Sequence, residues 1–163
     1  MPRRGECVLF PRRVLLLAAL SIAALALPAS AAGWRADQAG AARSAGYAAA
    51  GGFETLWLSC AGLPPGRLAI RFSGFPAGLP LDSAYTVVVS ADNLAFIQEV
   101  RPVARTGGGY DLGRTTSRAE LQPLIDSLKR GSKVEVSAPA GRRTLPLSGS
   151  GKALAALEAG CAP

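Results

Sequence analysis

Two cysteines, Cys60 and Cys161, flank most of the chain that remains once an amino-terminal export signal is set aside, and no other feature constrains the fold as much. In an oxidising compartment an even pair is most simply one disulfide. Such a bond closes a loop of about 100 residues and, on the chain-entropy account, contributes on the order of 4–5 kcal/mol. That is comparable to much of the net stability of a small domain. It would tie the first core strand to the last helix. A paired redox or metal site is the poorer use of these thiols: there is no C-x-x-C, and two thiolates are too few for zinc without other ligands.

The export reading comes from residues 1–31. Arg3, Arg4, Arg12 and Arg13 form a positive leader, and Val14 to Leu27 is apolar apart from Ser21. Pro28 breaks the run, and Ala29-Ser30-Ala31 is a small-x-small site, so cleavage is expected near Ala31. The apolar run is shorter than the ~20 residues a spanning helix needs. A retained amino-terminal anchor is the alternative; after cleavage no stable membrane span is expected. Cys7 precedes the apolar run and is not placed as a lipoprotein acceptor. The expected location is the periplasm or the extracellular space.

What remains is long enough for one domain with a real core. Residues 32–52 are rich in Ala and Gly with little apolar periodicity and read as a flexible leader. Trp34 and Tyr47 are its large side chains, packing back on the core or serving as a docking motif. Residues 53–163 read as a single β-rich domain. Phe53 to Cys60 places Leu56 and Leu58 on one face and Trp57 on the other. Arg67 to Phe72 alternates with Leu68, Ile70 and Phe72 inward and Arg67, Ala69 and Arg71 outward, the pattern of a half-buried antiparallel strand. Ser73 to Ser83, with Gly74, Pro76, Gly78 and Pro80, is a longer loop. Tyr85 to Ser90 is β-branched and central. Leu94 to Val100 places Leu94, Phe96, Gln98 and Val100 on one face and Ala95, Ile97, Glu99 and Arg101 on the other, and Pro102 ends the strand or sets it at an edge. Thr106 to Gly109 links to a strand over Tyr110 to Arg114.

The carboxy-terminal part has the clearest local grammar. Ser117-Arg118-Ala119-Glu120 has capping-box spacing, Leu121, Leu124, Ile125 and Leu128 share a helical face, and Gly131 is expected as a left-handed stop. Val134 and Val136 open a hairpin that returns through Thr144-Leu145-Pro146-Leu147. Ser148 or Ser150 then starts a short helix ending at Cys161. The fold class is mainly β with two short helices (α+β), an antiparallel sheet or small β-sandwich with one disulfide.

The chemistry is defined by what is missing. The chain has no histidine, which excludes Ser-His-Asp and Cys-His nucleophile systems and the commonest general acid–base at neutral pH. No catalytic residues, metal ligands or cofactor are expected. Ser148-Gly149-Ser150-Gly151-Lys152 lacks the upstream glycine and following Ser or Thr of a phosphate loop, since Pro146 and Ala153 stand there. Asp111 and Glu120 are the carboxylates that would have to meet for a histidine-free hydrolase. Lys129, Arg130, Lys133, Arg142 and Arg143 are a candidate anion-binding patch near one end of the hairpin; charge protection of an edge strand is the simpler explanation of them. The chain carries 18 Lys and Arg against 11 Asp and Glu, but scattered over many segments, which is not a nucleic-acid footprint.

Leu128-Lys129-Arg130-Gly131, the strand after it, and Leu145-Pro146-Leu147-Ser148-Gly149-Ser150 followed by Lys152-Ala153-Leu154-Ala155-Ala156-Leu157 resemble the carboxy-terminal part of the invasion-associated locus B family of exported bacterial proteins. The resemblance covers Leu121 to Cys161. It implies a periplasmic or surface β-rich domain with no catalytic residues to carry over. The expected function is therefore a non-enzymatic binding module of the bacterial envelope, with an unknown protein or an anionic envelope component as partner. The alternatives are an inhibitor of a cell-wall hydrolase, using Ser73 to Ser83 or Thr106 to Gly109 as the inserting loop, and a histidine-free hydrolase.

Overall fold

The computed structural model describes residues 32–37, 43–49, 52–75, 78–105 and 108–162. Among them the elements run β1 (Gly33–Ala36), β2 (Ser44–Ala49), β3 (Gly52–Ser59), β4 (Arg67–Phe72), β5 (Tyr85–Ala91), β6 (Leu94–Ala104), β7 (Tyr110–Ser117), α1 (Arg118–Arg130), β8 (Lys133–Ala138), β9 (Gly141–Pro146) and α2 (Ser150–Gly160). The strands pair antiparallel throughout in the order β1-β2-β3-β4-β7-β6-β5-β8-β9. Residues 1–31, with Cys7 and the expected cleavage site, lie outside the described residues.

Strand β6 makes the corner. Leu94–Val100 pairs with β5 and Arg101–Ala104 pairs with β7. Pro102 does not end the strand; it sits past the switch, where only β7 flanks it, and a ring without an N–H is tolerated at such a position. The sheet curls until its two outer strands approach each other, and the Trp34 indole Nε1 donates to Pro146 O at 2.8 Å.

The concave side is the core. Leu56, Leu58, Leu68, Ile70 and Phe72 meet Val87, Val89, Val134 and Val136 across the curl, and all are buried. Helix α1 lays Leu121, Leu124, Ile125 and Leu128 into this space and α2 adds Leu154 and Leu157. Each such side chain contributes about 1.5–3 kcal/mol by leaving water. The helices occupy one end of the curl, where β4 and β8 begin and β7 ends. The Ser73–Ser83 loop crosses the other end. Cys60 and Cys161 are bonded, with Cα atoms 5.9 Å apart, so the end of β3 is joined to the end of α2.

Two expectations are corrected. The stretch read as a flexible leader supplies β1 and β2, and Ala45, Ala48 and Trp34 are buried. Its small residues are a packing requirement: a Cβ on Gly46 would stand 2.3 Å from Trp57 Cβ in the next strand, and α2 packs on both strands. Gly131 is extended (φ −74°, ψ 172°), not left-handed. Close packing demands glycine there, because an added Cβ would meet Leu147 Cδ1 at 2.7 Å and Asp92 Oδ2 at 3.0 Å. The turn into β8 is held by the Asp92 carboxylate, which accepts from the backbone N–H of Ser132 and Lys133 and from the Ser132 hydroxyl. Those bonds, led by the hydroxyl of Ser132, hold the carboxyl below its ordinary range.

Candidate functional site

The described residues of the two loops singled out from sequence lie on either side of a cleft at the end of the curl away from the helices, residues 76, 77, 106 and 107 being outside the described residues. Phe72, Leu112 and Pro102 form its floor from the concave face of β4, β7 and β6. Phe75, Leu79 and Leu81 of the Ser73–Ser83 loop form one wall, and Gly108, Gly109 and Tyr110 the other. The cleft holds about 360 Å³, within the range of small-ligand sites. Leu81 is 54% and Tyr110 53% exposed, so an apolar rim faces solvent. Phe75 and Leu79 turn inward and pack on the core. The shortest bonds anchoring the loop come from Arg143 Nη2, which donates to Gly74 O, and from the Tyr85 hydroxyl, which donates to Pro80 O, both at 2.7 Å. Arg143 also stands 5.9 Å from the centre of the Phe75 ring, a cation–π contact.

Polar groups flank the cleft. Asp111 is buried and pairs with Arg105 at 3.4 Å. Arg71 lies on the opposite face of the sheet from Phe72; burial lowers its pKa from the ordinary guanidinium value, against the charge of Asp111, which raises it.

The five basic residues expected as an anion patch are not brought together. Lys129, Arg130 and Lys133 stand at the helical end of the curl. Arg142 and Arg143 stand at the hairpin tip, opposite Ser137 and Val136, about 10–13 Å along the strand from Lys133. Lys129 pairs with Glu158 at 2.7 Å, Arg142 with Glu135 at 3.3 Å, and Arg143 turns to the Gly74 loop. The physical reason is length: a six-residue strand separates the two basic clusters that adjacency in sequence had merged.

Asp111 and Glu120 are also apart, Asp111 near the start of β7 and Glu120 beyond its end. Glu120 lies in the first turn of α1, where Ser117 accepts from its backbone N–H at 3.2 Å. Its carboxylate does not complete the capping box; it takes the Thr116 hydroxyl and Arg114, and these two bonds, the hydroxyl first, lower its pKa. Arg114 in turn donates to the buried Gln98 at 3.0 Å. Ser150 is buried with its hydroxyl between Leu128 O and Leu147 O, at 2.7 and 2.6 Å, so it is spent on structure. Among the described residues no group of three or more Asp, Glu, Cys or His is placed to hold a metal ion, and no helix is long and apolar enough to cross a membrane.

Taken together, fold and site define a β-rich α+β domain with one disulfide and an apolar cleft under a loop. No family model and no curated protein matches the chain. Among solved structures it is similar to the crystal structure of invasion associated protein B from Bartonella henselae, at 15% identity and a TM-score of 0.37, over 76% of this chain and 80% of that one. The resemblance drawn from the closing residues is met again in that name; at that TM-score it carries no argument about fold or function, which rest on the geometry.

Proposed function

We propose that the chain is an exported, non-enzymatic binding module of the bacterial envelope that seats an apolar group of its partner in the cleft beneath the Ser73–Ser83 loop. The observation that carries this reading is the convergence of both loops on one concave, apolar space whose rim residues Leu81 and Tyr110 face solvent. The export reading fits the same picture: β1 begins at Gly33, so a cut after Ala31 would leave every strand among the described residues intact. An inhibitor that inserts a loop into a hydrolase cleft is less well supported. The apolar residues of the loop, Phe75 and Leu79, turn back onto the core, which makes a depression and not a protruding finger. A histidine-free hydrolase would need Asp111 and Glu120 to meet, and they pair with different arginines.

A photo-crosslinking amino acid at Tyr110 or Leu81, in cells that export the protein, tests the reading. One discrete adduct from both positions, absent when the label sits at Ile97 on the convex face, is expected. Adducts from Ile97 with none from the rim would overturn it. Amino-terminal sequencing of the exported form should begin at Ala32. Unchanged lysozyme activity in stoichiometric excess of the protein would remove the inhibitor reading.

A further inference from the structure

Across six strands, Arg35, Gly46, Trp57, Arg71, Gly113 and Arg101 stand directly opposite one another in one row. Residues in cross-strand register share a face, and this face is the convex one, since the adjacent Leu56, Leu58, Ile70 and Leu112 point into the core. The glycines make the row a surface and not a line of competing side chains. A Cβ on Gly113 would stand 2.6 Å from Arg71 Cδ and 2.7 Å from its Nη1; without one, Arg71 lies down across β7. Its Nη1 donates to Ile70 O at 3.3 Å and Arg114 O at 3.4 Å. Among the described residues its Nε and Nη2 have no hydrogen-bond partner. Arg101, exposed at the far end, donates from Nη1 to Asp82 O at 3.3 Å.

The aromatic part of the row is held in place by an irregularity. Gly46 faces Trp57 and Ala48 faces Phe53, so that Glu54, Thr55 and Leu56 stand opposite Tyr47 alone. Thr55 takes a left-handed conformation, φ 60°, which β-branched residues rarely adopt. This bulge draws Phe53 and Trp57 together until their rings stack, centroids 5.8 Å apart and planes 12° from parallel. Trp57 Nε1 donates to the buried Ser73 hydroxyl at 3.0 Å, so the indole is pinned, and both rings remain partly exposed on the convex face. Backbone strain of this kind clusters at ligand sites.

We propose that the Phe53–Trp57 shelf together with Arg71 and Arg101 binds an acidic oligosaccharide, with sugar faces on the rings and carboxylates on the guanidinium groups. Arginine forks match carboxylates in geometry. From Trp57 to Arg101 the row crosses three strand spacings, about 14 Å, which suits an oligomer and exceeds a single ring. Glu99, exposed on the same face two residues from Arg101, is placed to accept from sugar hydroxyls, which a glycan offers on every ring and a deoxyribose phosphodiester chain does not, and that favours a glycan over DNA. This site rests on export placing the chain among envelope glycans; it does not depend on the cleft.

Calorimetric titration of the disulfide-bonded chain with a galacturonic acid hexamer tests it, with the fully methyl-esterified hexamer and a short single-stranded oligonucleotide as comparators. The acid hexamer is expected to bind, and the ester at least about tenfold more weakly. Arg71→Gln and Arg101→Gln should each weaken binding about tenfold, Trp57→Ala should weaken it further, Trp57→Phe should keep most of it, and Arg142→Gln should change nothing. Thermal melts establish that each variant folds; if Trp57→Ala does not, the two arginine variants decide. No binding of the acid hexamer, equal binding of its ester, tighter binding of the oligonucleotide, or an arginine variant with unchanged affinity would each overturn the proposal. The crosslinking pattern at Tyr110 reads a different surface, so either proposal can fail without the other.

Discussion

The two ends of the curled sheet are closed in different ways. At one end α1 and α2 drive four and two large apolar side chains into the core, the disulfide locks α2 to β3, and Glu158 of α2 pairs with Lys129 and Arg118 of α1 at 2.7 and 3.4 Å. At the other end a Gly- and Pro-containing loop is held by two apolar side chains and by single hydrogen bonds to the carbonyls of Ser73, Gly74, Pro80 and Asp82. A helix presents a side chain to the core on every turn and leaves no room beneath it. A loop whose residues are spent on turns covers less, and the uncovered remainder is the cleft. The stability of this protein therefore belongs to one end of the sheet and the capacity to receive a ligand to the other.

That contrast is open to attack, most strongly through the covalent link. Cys161→Ser should cost on the order of 4–5 kcal/mol, read as a lowered urea midpoint with a steeper slope, since the unlinked denatured chain exposes more surface. Leu124→Ala empties a site in the helical end and should cost about 2–5 kcal/mol. At the mouth the same measurement should barely move: Tyr110→Ala or Leu81→Ser should fall within about 0.5 kcal/mol of the parent, and a larger loss would mean that the rim is structural. Amide exchange should show residues 78–83 opening far more readily than Leu121 to Leu128; equal protection would erase the distinction between the two ends.

The smallest effect is one of pH. Burial raises the pKa of Glu158, but the hydrogen bonds from Lys129 and Gln122 and the charges of Lys129 and Arg118 outweigh it, so the folded value lies below the ordinary one. A carboxylate depressed in this way contributes stability that is full above its unfolded pKa of about 4.3 and fades as pH falls through the folded value. Glu158→Gln should therefore flatten the loss of thermal stability between neutral and acidic solution, by a small amount because the pair is partly solvated. An unchanged acid slope would mean that the helices are held together without that ionic contact.

How far the amino-acid order carries can be seen in particular residues. Ser117 accepts from Glu120 as its spacing implies, because a cap is a local object four residues long. Glu120 fails to reach back because Arg114 and Thr116, brought in by β7, offer it stronger partners. Residues 32–52 looked unstructured because Ala and Gly lack apolar bulk, and only the approach of α2 and Trp57 explains why bulk is excluded there. The basic residues of the hairpin were grouped by nearness in sequence, whereas a strand carries neighbours apart by about 3.3 Å per residue. The cleft was half legible: both loops were marked, but their meeting across the mouth of the curl depends on β4 pairing with β7.

Side-chain alternation has a period of two and is set by the backbone of each strand alone, so the order of residues by itself determined which side of its strand Trp57, Arg71 and Arg101 would occupy. It likewise determined the inward positions of Leu68, Ile70 and Phe72, the capped start of α1 and the partnership of Cys60 with Cys161. Only the tertiary structure decided that Trp57, Arg71, Gly113 and Arg101 stand in one row, since β3, β4, β7 and β6 become neighbours through pairings distant in sequence. A strand's register against such a neighbour is chosen by the burial of the whole concave face, and no single strand contains that information.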